Sequence, residues 1–132
     1  MATFAVELVS PEEKLWEGEA EMVVCRSTEG DIAFAAGHEP FLGALGAFPV
    51  RIIRGEGQPE IAVAVHGGFV EFSDDRVIVL SDVAELPEQI DVERARAAEA
   101  RAREALRVDE HDEDAKAALA RATVRLEVAG AT

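Results

Sequence analysis

At Pro87 the chain changes its period, and that change limits what it can fold into. Ahead of this residue lie short runs rich in Val, Ile and Phe, with nine of the ten glycines between them. Behind it the sequence is alanine-rich and has no further proline. A two-residue alternation places side chains on the two faces of a strand, whereas a 3.6-residue period places them on one stripe of a helix. One pattern cannot serve as the other, so the border at Pro87 divides the chain into an expected β domain over 1–86 and an expected helical domain over 87–132.

The first part reads as a series of short strands. Runs at 3–9, 21–27, 32–36, 50–54, 60–66, 69–72 and 76–80 have strand composition, and Lys14 to Glu19 reads as a turn or short strand around Trp16. Turn residues separate them: Ser10-Pro11, Glu29-Gly30-Asp31, Gly55-Glu56-Gly57, Gly67-Gly68 and Asp74-Asp75. The glycine-interrupted stretch from Leu42 to Phe48 suggests a bend or bulge, and Pro49 argues for an edge position. Close spacing of short strands predicts an antiparallel sandwich or barrel.

The second part reads as two helices. Asp91 is suited to cap the first, because its carboxylate can accept unpaired N–H groups of the opening turn. Val92, Ala95, Ala98, Ala102 and Ala105 share one stripe, with Leu106 beside it. The acidic stretch V-D-E-H-D at 108–112 interrupts the pattern, and Asp112 can cap a second helix with Ala115, Ala118, Leu119, Ala122 and Leu126 on its stripe. A short turn between two such helices predicts an antiparallel hairpin ending near Gly130. Alanine allows close backbone approach but buries little apolar area, so weak docking against the sandwich is expected. The predicted fold class is α+β: an N-terminal antiparallel β-sandwich, then a C-terminal antiparallel two-helix hairpin.

Charge narrows the partners. There are 27 acidic and 13 basic side chains, a net charge of −14, which repels phosphate backbones and anionic lipid and argues against nucleic-acid binding or direct membrane insertion. Residues 1–86 carry 16 acids and 5 bases, whereas residues 87–132 carry 11 and 8, so the positive charge is concentrated in the hairpin. The single cysteine, Cys25, lies in an apolar run and reads as an inert buried thiol. No basic-then-apolar leader and no spanning apolar run is present; a cytoplasmic setting is expected.

Several constellations are set aside. There is no G-x-x-x-x-G-K phosphate loop. His38, His66, His111 and Cys25 have no metal-ligand spacing, so no metal site is expected. His38-Glu39 offers acid and base groups without a nucleophile, and a turn histidine is the better reading. Gly67-Gly68 precedes a strand rather than a helix, which favours a backbone-geometry role over phosphate binding. No catalytic residue is expected.

The order of these pieces resembles the epsilon subunit family of the bacterial F-type ATP synthase. The resemblance runs nearly end to end and rests on E-G-D-I-A-F-A-A-G-H-E-P-F at 29–41, G-G-F-V-E-F at 67–72, V-I-V-L-S-D-V-A-E at 77–85, I-D-V-E-R-A at 90–95 and A-L-A-R-A-T-V-R-L at 118–126. Ala36 departs from the family's usual proline before Gly-His, which affects a turn. The resemblance implies a non-catalytic rotor subunit at the cytoplasmic face of the cell membrane. Its sandwich would bind the gamma subunit of the central stalk and the c-ring. Its hairpin would fold against the sandwich or extend toward the catalytic alpha and beta subunits and inhibit ATP hydrolysis. No cofactor is implied, but ATP is a regulatory ligand in some members. The family's nucleotide residues fall on Glu85, Asp91, Arg94, Arg101, Arg121 and Arg125.

Spacing is compatible with that assignment. Arg94 and Arg101 lie seven residues apart, and Arg121 and Arg125 four apart, so each pair occupies one helical face. Guanidinium groups offer paired planar donors to phosphate oxygens, and Glu85 and Asp91 could accept hydrogen bonds from a base or ribose. The competing reading is a solvated helix face paired with Glu99 or Glu127. At the level of the whole protein, the alternative is a stand-alone nucleotide-sensing module with a helical-hairpin ATP site.

Overall fold

The computed structural model describes residues 2–27 and 29–131; Met1, Thr28 and Thr132, two of them the outer limits of the expected domains, lie outside the described residues. Eight strands come first: β1 (Phe4–Val9), β2 (Lys14–Ala20), β3 (Met22–Ser27), β4 (Gly30–Ala35), β5 (Phe41–Ile53), β6 (Ile61–Ser73), β7 (Arg76–Leu80) and β8 (Ala84–Glu85). A single 3-10 turn at Pro87–Gln89 leads to α1 (Val92–Val108) and α2 (Glu113–Val128). The strands form one sheet in the order β2-β1-β7-β6-β5-β3-β4, and β8 adds to β6.

The sheet closes over itself. Phe34 of β4, an edge strand, stacks on Phe72 of β6 with ring centroids 5.6 Å apart, and Phe4 of β1 meets Phe72 edge-on at 5.7 Å. Between the layers lie Val6, Leu8, Val23, Cys25, Ile52, Val63, Val65, Val70, Val77 and Val79, all but excluded from water. Burial raises the Cys25 thiol to about 11, in keeping with the inert thiol expected from its surroundings.

Three details differ from the sequence expectation. The β1–β7 pair is parallel, whereas the other ladders are antiparallel. Pro49 is not on an edge, because β5 lies between β6 and β3. Pairing between β3 and β5 breaks between Val24 and Ser27, whose partners are Arg51 and Leu45. Pro49 falls opposite that break, where a residue without an N–H is tolerated. Finally, the runs on either side of Gly67-Gly68 are a single strand, β6, as are those on either side of Phe48-Pro49 in β5.

The glycine pair switches the inward face. In β6 the positions buried in the sandwich core are Val63 and Val65 before it, but Val70 and Phe72 after it. Gly67 and Gly68 take φ of +88° and +127°, the region that favours glycine. The expected backbone role of this pair is what the structure shows.

The switch leaves Ala62, Ala64 and His66 on the outer face of β6, and there the hairpin docks. Helix α2 lies on β5 and β6, with Ala64, Val124 and Val128 buried together against Ala47, Ala62 and Ile90. Helix α1 packs on α2, and both meet through small residues: Ala95 and Ala102 on α1, Ala115 and Ala122 on α2. The two acids expected as caps do cap. Asp91 accepts from the Arg94 N–H at 3.1 Å, and Asp112 accepts from the Ala115 N–H at 3.0 Å. Asp91→Ala is expected to destabilise α1 by about 1 kcal/mol; hydrogen exchange of its first-turn amides, accelerated with no change in the sandwich amides, checks this.

Candidate functional site

Of the four hairpin arginines that the resemblance assigns to a nucleotide site, three line one opening. A cleft of about 390 Å³ runs between α1 and α2, lined by Arg101, Arg121 and Arg125 over a floor of Ala98, Ala102 and Ala118. Alanines at the helix–helix contact hold the backbones close, which brings side chains from both helices to one opening. Asp112 and Asp114 line the cleft as well. Arg101 and Arg121 are exposed and make no ion pair among the described residues. The particular pairing of the solvated-face reading is not seen for Glu99, which pairs with Arg103 at 3.5 Å; exposed as they are, both arginines are solvated in either reading.

The other three candidates stand at different distances from that cleft. Glu85, on β8, reaches the site through Arg125, whose Nε donates to its Oε1 at 2.7 Å. Asp91 is exposed and committed to its cap. Arg94 is exposed and does not line the cleft. Seven residues bring a side chain back to nearly the same face, but about 10 Å along the axis, so Arg94 lies nearer the start of α1 than the cleft reaches. The structure thus joins four of the six candidates, Glu85, Arg101, Arg121 and Arg125, and leaves Asp91 and Arg94 apart.

Sequence reasoning missed the residue behind Glu85. His66 Nε2 lies 3.0 Å from the same Glu85 Oε1, and its side chain is 4% exposed. Burial opposes ionisation of the Glu85 carboxyl, but hydrogen bonds from Arg125 and His66, together with the Arg125 charge, outweigh it and hold the carboxyl below its ordinary range. His66 moves the same way for a different reason: burial disfavours the imidazolium more than Glu85 supports it, and Arg125 and Arg121 add repulsion. The available signal was position, since His66 follows Ala64 by two residues on the face that carries α2.

Neither His38 nor His111 lines the cleft. His38 Nδ1 lies 2.6 Å from the Glu39 carbonyl oxygen, and its ring packs edge-on against Phe34 and Phe72. That is the structural turn histidine anticipated above. Among the described residues no three His, Cys, Asp or Glu side chains are placed to hold a metal ion. A larger groove, of about 750 Å³, separates α2 from β3 and β5. Its two arginines are already neutralised, Arg26 by Asp31 and Arg51 by Glu60 at 2.6 Å.

Comparison with known proteins decides the family. A family model described as the ATP synthase delta/epsilon chain β-sandwich domain matches residues 3–87, and one described as the long α-helix domain of the same chain matches residues 88–130. The chain belongs to the ATP synthase delta/epsilon chain family. Among its relatives, the ATP synthase epsilon chain of Streptomyces griseus is 48% identical over 125 residues, covering 95% of this chain and 94% of the relative. That of Shouchella clausii is 45% identical over 130 residues, covering 98% and 96%. The fold also matches a chain in the mitochondrial ATP synthase assembly of Euglena gracilis that contains OSCP, F1 and the c-ring. There the TM-score is 0.68 at 23% identity, over 96% of this chain and 76% of that one. A central stalk and c-ring structure from Tetrahymena thermophila matches at TM-score 0.56 and 17% identity, over 97% and 96%. In this family, then, the order of sandwich and helix pair read from the sequence is the expected one.

Proposed function

We propose that this chain is a non-catalytic rotor subunit of an F-type ATP synthase. In this reading the sandwich joins the gamma subunit of the central stalk to the c-ring at the cytoplasmic face of the membrane. The hairpin restrains ATP hydrolysis when it extends toward the alpha and beta subunits, and ATP bound between the docked helices holds it back. Among the described residues no helix is long and apolar enough to cross a membrane, so the attachment is through partners.

One surface feature carries the docking part of this reading. Outside the sandwich, Ala44, Phe69 and Leu80 are direct cross-strand neighbours, and Val9 continues the row on β1. Phe69 is 56% exposed, and Leu42, one row along, is 69% exposed. A contiguous apolar row across four strands, in a chain of net charge −14, marks a protein interface rather than scattered surface hydrophobes. The regulatory part draws on the small seat of α2 and on Arg101 and Arg121, which make no ion pair among the described residues.

The test is reassembly with enzyme complexes stripped of this subunit. The full chain is expected to bind and to lower ATP hydrolysis severalfold. A chain ending at Leu86 is expected to fold, because the large core side chains lie within it, and to bind without inhibiting. Phe69→Asp is expected to abolish binding with little loss of stability. Undiminished binding by that variant, or inhibition by the truncated chain, overturns the reading. Failure of the full chain to associate at all favours the stand-alone nucleotide sensor.

A further inference from the structure

We propose that His66, Glu85 and Arg125 form a proton-sensitive latch between the sandwich and the hairpin, closed while His66 is neutral and opened when it takes up a proton. The proposal rests on the mobile hairpin of the preceding section and adds a signal that would control its position.

The three groups belong to three elements. His66 is on β6, Glu85 on β8 and Arg125 on α2, and one carboxylate oxygen, Glu85 Oε1, accepts from both neighbours, at 3.0 and 2.7 Å. Arg125 is the only one of the three on the hairpin, so its bond to Glu85 ties the hairpin to the sandwich. The Arg125 and Glu85 side chains are 28% and 24% exposed, so the pair is partly screened from solvent and stronger than a surface pair. His66 lies beneath it, one alternation beyond the Ala64 seat of α2.

Geometry fixes which form of His66 suits the closed latch. With Nε2 donating to Glu85, the neutral ring leaves Nδ1 as a bare acceptor. Nδ1 is buried and has no hydrogen-bond partner among the described residues. A proton there would create an N–H with nothing to accept it, which costs more than an unused lone pair. The surroundings act in the same direction. Among the described residues Glu85 is the carboxylate that faces the ring, and it is shared with Arg125. Helix α2 also brings Arg121 close enough to oppose a second positive charge. On β5 the neighbour is Ala47, which carries no charge, and from the β7–β8 connection the Val83 carbonyl accepts the His66 backbone N–H at 3.1 Å. Release of α2 removes Arg121 and Arg125 and opens the ring to water, where an imidazolium is hydrated.

The sign of the linkage follows. His66 holds its proton less tightly in the docked state than in the released one. Docking is therefore complete above the ordinary histidine range, near pH 6.5, and weakens as pH falls through and below it.

The experiment uses the full chain with nitroxide labels on Gln58→Cys and Ala117→Cys, both exposed positions on opposite partners. The Cys25 thiol, raised to about 11 by burial, stays unlabelled near neutral pH. Electron–electron distance distributions give the ratio of docked to released chains. Between pH 7.5 and 5 that ratio is expected to fall by at least about fivefold, and in His66→Gln to stay constant. In parallel, ring NMR signals of His66 are expected to titrate below the ordinary histidine range. Arg125→Ala separates the two ideas. If it releases the hairpin while pH does not, the hairpin moves but His66 does not govern it, and the latch is wrong. If neither pH nor Arg125→Ala changes the distances, the hairpin does not leave the sandwich and both ideas fall.

Discussion

Gly68→Ala is expected to destabilise the sandwich by at least about 3 kcal/mol, and to lower Tm by roughly 10 °C or more. A methyl group at this position would stand 2.1 Å from the Leu80 carbonyl oxygen and 3.0 Å from the Ser81 Cα. Both are backbone atoms, fixed by the β6–β7 ladder and by the Ser81 hydroxyl, which donates to the Gly67 carbonyl at 2.6 Å. Neither can swing aside as a flexible side chain would. The φ of +127° adds strain for any L residue. Gly30→Ala is a useful control, because φ is also positive there, at +128°, but nothing among the described residues lies within 4 Å of the added carbon. Thermal unfolding followed by circular dichroism compares the two. Equal losses would mean that strain alone, and not the approach of the Leu80 carbonyl, governs the position.

Arg125→Ala is expected to weaken ATP binding to the isolated protein ten- to a hundredfold, the effect of losing one charge-assisted contact worth roughly 1.5–3 kcal/mol. Arg125 both lines the cleft and positions Glu85, so its loss removes one contact and unsettles another. Arg94→Ala should have the smaller effect of the two, since Arg94 does not line the cleft. Arg107→Ala should have almost none: its side chain is 78% exposed and paired with Glu104 at 2.8 Å. Calorimetric titration orders the three variants. An unaltered affinity in Arg125→Ala, or no binding by the parent chain at millimolar ATP, removes the cleft from consideration as a nucleotide site.

What could be read from the sequence was set by how local each determinant is. Asp91 and Asp112 cap through bonds that span three residues, so the hairpin was legible from composition and spacing. The β-rich first part was legible as well, from turn residues between apolar runs. Features that depend on distant partners were not. The parallel pairing of β1 with β7 joins residues some seventy positions apart, and the tolerance of Pro49 inside the sheet depends on an interruption in the ladder to β3. The same applies to the site. Arg121 and Arg125 share a face because they are four apart, whereas Arg94 and Arg101 share a direction but not a height. His66 was weighed only as a metal ligand, because its real partner, Glu85, lies 19 residues away. Val124 and Val128, the second buried face of α2, were passed over in favour of the alanine stripe.

The seat beneath α2 has a bearing on how the protein behaves in solution. Ala47, Ala62 and Ala64 offer the helix nothing larger than a methyl group. A lifted helix would therefore uncover no deep socket and no interdigitated side chains on the sheet. Each methyl brought into water costs only about 0.8 kcal/mol, and methyl groups set singly on a pleated surface make a poor adhesive for a second chain. A larger residue at Ala64 would grip the helix harder, yet leave a sticky surface behind whenever the hairpin departed. If the hairpin moves as proposed, an alanine seat would leave the uncovered sheet little with which to draw neighbouring copies together.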